Sequence, residues 1–204
     1  MRDEAWHSGY GFDYRWLDPH STSSRYTENN TIGAVTVYVP KKPVTQDLLV
    51  FFPGSYTPCS EYDPLLSVAA EQVRTICLAY DNLVTIASLA NGSEWSDTMP
   101  DAYYNARLAA FNGSIESEPG NNLQARLHAA LKALETDQPG AWSPYILPDS
   151  PTPRWGAIRV AGHSQGAGAA AFISYMVEVS PFSHLPASRC PSPLLLAVHT
   201  HTHT

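Results

Sequence analysis

The sequence predicts an α/β fold with a largely parallel sheet, and three observations carry that reading. Short runs rich in β-branched residues alternate with amphipathic helical stretches, the pattern of strands joined by crossover helices. One run, Leu48-Leu49-Val50-Phe51-Phe52, is apolar at every position, as expected of a strand buried on both faces. One strand meets a helix through Gly162-His163-Ser164-Gln165-Gly166 with no room for a loop.

Taken in order, residues 1–31 are rich in Gly, Tyr, Ser and Asp, hold no sustained period and read as an irregular lead-in. The globular core is expected over 32–179. Ile32–Val39 is a β-branched strand closing on Pro40, and the polar KKPVTQD leads into LLVFF. Asp63 as cap and Pro64 at the first helical position open a helix with Leu65, Leu66, Val68, Ala69 and Val73 as its stripe. Thr75–Tyr80 reads as another buried strand. Residues 81–120 break the rhythm with Trp95, Tyr103, Tyr104 and Phe111, a lid-like insertion with one short helix near Asp101–Phe111. Asn122 caps an amphipathic helix, Leu123–Leu134. A proline-rich linker (138–155) precedes the strand Ala157–Ala161 and a helix from Gln165 to Val179. Residues 180–204 read as a low-complexity, disordered tail.

Composition narrows the function. Hydrophobic residues make up 44% and charged residues 15%, against a usual charged share of about 25%, so a core can be buried. A formal charge of −7 leaves no basic footprint for nucleic acid. No run approaches the ~18 apolar residues of a membrane span, and MRDEAWHSGYGFDYRW has no apolar signal region, which makes the cytoplasm the default compartment. Cys59, Cys77 and Cys190 are an odd set without metal-ligand spacing and read as free thiols. The sequons at Asn29, Asn91 and Asn112 carry no weight without a secretion signal.

The chemistry points to the end of the strand Ala157–Ala161. Gly162-His163-Ser164-Gln165-Gly166 fits G-x-S-x-G, in which a strand turns straight into a helix and lifts the serine hydroxyl off the sheet. Side chains at either glycine would strike neighbouring backbone. The small run Ala167-Gly168-Ala169-Ala170-Ala171 lets the following helix sit close to the sheet. After LLVFF, Pro53-Gly54-Ser55-Tyr56 has the form of a small-residue loop that offers an N–H to an oxyanion. Ser164 is therefore the candidate nucleophile, with the N–H groups of Ser55 and Gln165 as candidate oxyanion donors.

With LLVFFPGSY, TICLAYDN and IRVAGHSQGAGAAAFI in this order, the chain resembles the lipase- and esterase-like serine hydrolases of the α/β-hydrolase superfamily. The resemblance implies a Ser–His–acid triad, a small-molecule carboxylic ester as substrate, and neither cofactor nor metal. It also implies strands beyond the nucleophile helix. Forty residues follow Ser164, and none after Glu178 is acidic, so the chain reads as a fragment of that fold lacking its C-terminal strands, catalytic acid and catalytic His. The alternative function is a non-catalytic ligand-binding relative or a fragment without activity. The terminal His199-Thr200-His201-Thr202-His203-Thr204 is what a CA-dinucleotide repeat encodes, which suggests a shifted reading frame; a metal site is its rival reading. Among the other histidines, His128 reads as a surface or boundary residue and His163 as structural, His184 has no acidic partner downstream, and His7 and His20 could pair with Asp18 as acid and base although nothing in the sequence positions them. A strand at Ala157–Ala161 without later partners predicts an exposed sheet edge and self-association, unless Leu194–Val198 covers it.

Overall fold

A computed structural model describes residues 5–18, 34–80, 82, 83, 85, 99–112 and 122–177. Six strands, β1 (His7–Ser8), β2 (Phe12–Leu17), β3 (Val35–Pro40), β4 (Leu48–Phe52), β5 (Arg74–Cys77) and β6 (Ile158–Gly162), form one sheet in the order β1-β2-β3-β5-β4-β6. Among the described residues four α-helices accompany them: α1 (Asp63–Ala70), α2 (Met99–Asn112), α3 (Leu123–Asp137) and α4 (Gln165–Met176).

The expectation of a largely parallel sheet, and with it the α/β-hydrolase fold fragment, is overturned. The sheet is mixed. β1–β2, β2–β3 and β3–β5 pair antiparallel, while only β5–β4 and β4–β6 are parallel. Connection length explains two of the three antiparallel pairings, because a parallel neighbour needs a crossover of about a dozen residues or more; the link from β2 to β3 is longer than that. Only Gly9, Tyr10 and Gly11 join β1 to β2, and Gly11 takes φ 85° to turn the chain back. The polar link after β3 is likewise too short for a crossover, so β3 runs against β4 and meets β5 antiparallel.

The lead-in is not irregular throughout. Phe12–Leu17 pairs along its whole length with β3, and its alternation of Phe12, Tyr14 and Trp16 is strand-like. Trp6 donates its indole N–H to Asp137 at 2.7 Å, and Arg15 pairs with the same carboxylate at 2.8 Å, tying this segment to the end of α3.

Alternation explains why LLVFF is apolar throughout. Leu48, Val50 and Phe52 enter one core with residues of α3 and α4, while Leu49 and Phe51 enter a second with Leu66 and Ala70 of α1. Helices thus cover both faces of the parallel half. Asn122 caps α3 as expected, accepting the Ala125 N–H at 2.8 Å. At α1 the cap lies one residue earlier than expected, on Tyr62, and Asp63 is the first helical residue.

The proline-rich stretch is no loose linker. Trp142 and Tyr145 are wholly buried within it, and the Glu135 carboxylate accepts the N–H groups of Gly140, Trp142 and Ser143. From the expected lid, α2 is described and packs inward: Phe111 meets Trp155 and Phe172, and Tyr104 meets Phe172. Apart from residues 82, 83 and 85, the remainder of that insertion, the sequons at Asn29 and Asn91, Trp95, His20, His184, Cys190 and the tail from 180 lie outside the described residues.

Cys59 and Cys77 are not free thiols. They form a disulfide, with Cα atoms 5.7 Å apart, that ties the 3-10 turn Cys59–Tyr62 to the end of β5. The odd total obscured a pair that strand order brings together. No described helix is long and apolar enough to cross a membrane.

Candidate serine site at the carboxyl ends of the parallel strands

β4, β5 and β6 end side by side, and each hands its chain to a segment of the site: Pro53–Thr57 after β4, Tyr80 and Asn82 after β5, and His163–Gln165 after β6. Ser164 stands at φ 52°, ψ −116°, a strained conformation for a side-chain-bearing residue, with its side chain exposed. Both glycines of the motif are required. A Cβ on Gly162 would lie 2.3 Å from the Gly166 carbonyl carbon, and one on Gly166 would lie 2.0 Å from the Phe52 carbonyl oxygen. The start of α4 therefore rests directly on the end of β4.

The loop after β4 is held from below. Tyr80 donates its hydroxyl to the Pro53 carbonyl at 2.9 Å. Asn82, almost wholly buried, donates from Nδ2 to the carbonyls of Gly54 (2.7 Å) and Thr57 (2.9 Å), and its own carbonyl accepts the Tyr56 N–H at 3.0 Å. That clamp holds Tyr56 at φ 58°, with its ring exposed beside the site. Asn82 Oδ1 is buried without a hydrogen-bond partner among the described residues.

The two segments meet. Ser55 donates its hydroxyl to Gln165 Oε1 at 2.8 Å, joining residues 110 apart in the chain. A Cβ on Gly54 would fall 3.0 Å from His163 Nδ1 and 3.3 Å from Ser164 Cβ, so this glycine lets the loop lie against the turn at Ser164. Ser164, Gln165 and Ser55 are thus neighbours. Tyr62, Tyr80 and Asn82 were missed by the sequence reading. Their signal was position alone, since each follows or faces the end of a parallel strand, where ligands bind in such sheets.

A cation flanks the site. The Arg107 guanidinium from α2 lies over Gly168, whose added Cβ would come within 2.2 Å of Nη2. Desolvation by burial lowers the Arg107 pKa, against the opposing influence of Tyr80 and Tyr103.

No described side chain hydrogen-bonds the Ser164 hydroxyl. Of the described histidines, His163 turns Nδ1 to Tyr62 and His7 lies on β1, at the far end of the sheet. His128 lies on α3, its pKa lowered by burial and by Lys132. Asp18, weighed as a partner for His20, follows β2, four places along the sheet from β6. Among the described residues no three His, Cys, Asp or Glu side chains come together as metal ligands.

No protein-family model matches the chain, and no curated protein matches it.

Proposed function

We propose that this chain carries a serine acyl-transfer site for carboxylic esters, in the manner of lipase- and esterase-like serine hydrolases. The single observation that carries the reading is the strained, exposed Ser164 between β6 and α4, with the Gly54–Ser55 loop drawn against it. In this reading the Ser164 oxygen bonds to the ester carbonyl carbon as its proton passes to solvent, the N–H groups of Ser55 and Gln165 stabilise the resulting oxyanion, and its collapse breaks the ester C–O bond to release the alcohol, protonated by water. The dipole of α4, positive at its N-terminus, favours the same negative charge. The acyl-enzyme then passes its acyl group to water. The substrate is a small ester admitted beside Tyr56, and β6, which ends the described sheet, is where a second copy would pair.

A non-catalytic ligand-binding role is the second reading. It is favoured by the lack of any described side chain bonded to the Ser164 hydroxyl, because a serine without a base is a weak nucleophile. A fluorophosphonate probe separates the two. The acyl-transfer reading expects covalent labelling at Ser164, mapped by mass spectrometry and abolished in Ser164→Ala. A folded chain that binds esters but never takes up the probe is a binding protein.

A further inference from the structure

Tyr62 lies outside every motif in the sequence, yet its hydroxyl joins both halves of the serine site. The Gly54 N–H donates to the phenol oxygen at 3.1 Å, and the same oxygen lies 2.9 Å from His163 Nδ1. The residue is buried, and it ends the 3-10 turn that Cys59 begins and the disulfide anchors.

Counting protons decides the direction of the second bond. A phenol has one proton to give, and its oxygen accepts from Gly54 already. If His163 Nδ1 carried a hydrogen, the oxygen would have to accept twice, and the phenol proton would be buried without an acceptor. If Nδ1 is bare, every group is satisfied: Gly54 N–H to Tyr62 oxygen, Tyr62 O–H to Nδ1. The His163 hydrogen then sits on Nε2, on an exposed ring that makes no second hydrogen bond to a described residue.

We propose that Tyr62 is the positioning residue of the site, and that it fixes His163 as the Nε2–H tautomer, a hydrogen-bond donor beside Ser164 and not its base. The tautomer depends only on the Gly54–Tyr62–His163 geometry, whereas calling the place a catalytic site rests on the acyl-transfer reading above. His163 Nδ1 is occupied and Nε2 is protonated, so neither nitrogen takes the serine proton. What the imidazole offers is one N–H on an exposed ring, in the residue preceding Ser164, together with a fixed spacing between the Gly54 loop and the turn.

The test is nitrogen-15 correlation NMR of the imidazole in the full chain at neutral pH, with the His163 signals assigned by their loss in His163→Gln. The expected spectrum is a single neutral tautomer protonated at Nε2. In Tyr62→Phe, which keeps the ring and removes the hydroxyl, the two nitrogens should move toward a mixture of tautomers, and probe labelling at Ser164 should slow about tenfold. An Nδ1–H tautomer in the wild type overturns the proposal, as does a tautomer unmoved by Tyr62→Phe. The wild-type spectrum decides alone if the variant does not fold. A chain that never labels yet shows the Nε2–H tautomer and its loss in Tyr62→Phe removes the acyl-transfer reading and keeps this one.

Discussion

Asn82 supports the loop beside Ser164 through two donated hydrogen bonds and one accepted, with its side chain sealed from solvent. Replacing it with alanine leaves the Gly54 and Thr57 carbonyls short of a donor, and a buried polar group left unpaired costs about 1–3 kcal/mol. Asn82→Ala should lower stability by about 2–3 kcal/mol, read as a fall in the urea midpoint at constant slope. Labelling of Ser164 should weaken even where the variant is folded, because the Gly54 and Thr57 carbonyls that flank Ser55 and Tyr56 lose their side-chain donor, while the backbone bond from the Tyr56 N–H remains. Legibility in the sequence divides along the same line. Ser164, Gly162 and Gly166 lie within five residues, so the motif is visible as a local pattern, even though Gly166 is small to clear the Phe52 carbonyl of β4. Asn82 and Tyr62 act across the ends of different strands, and nothing near them in sequence marks them out.

At the scale of elements, the runs that announce themselves bury both faces or keep a strict stripe, as β4 and α3 do. Those overlooked were short and set among turn residues. Phe12–Leu17 sits between Gly11 and Pro19, and its alternation was masked by Arg and Asp on the opposite face. The stretch after α3 was misjudged for a different reason: its prolines signal loops, yet Glu135 gathers three of its N–H groups and Trp142 fills the core. The Gly140 N–H leads those of Trp142 and Ser143 in holding the Glu135 carboxyl below its usual pKa, outweighing desolvation. A depressed carboxyl adds stability above its unfolded value of about 4.3 and loses it as pH falls through the lower folded value. Glu135→Gln should therefore be less stable than wild type by about 1 kcal/mol at neutral pH, a solvent-discounted figure. The gap should close below about pH 4, as followed by urea midpoints across the pH range.

Across the whole molecule, the antiparallel strands on one side and the parallel strands on the other meet at β3 and β5, and the disulfide closes next to that seam. Cys59 and Cys77 stand 18 residues apart, and closing a loop near that length contributes about 3 kcal/mol in chain-entropy terms. Reduction by dithiothreitol, or the Cys59→Ala, Cys77→Ala pair, should lower stability by about that amount. Thermal unfolding with and without the reductant measures it, and an unchanged midpoint would show that the bridge adds nothing.

The pairing of β6 with β4 has a consequence in time. The N-terminal hairpin closes through three residues, whereas β6 reaches β4 only after a detour that includes α1, β5, α2 and α3. Bringing together segments so far apart carries a loop-closure entropy that near neighbours escape, and contacts of high sequence separation form late. Ser164 belongs to that late junction, whereas the antiparallel strands can zip early. The turn at Ser164 is therefore expected to form after the hairpin in refolding, with the strained φ of its serine imposed by strands laid down earlier.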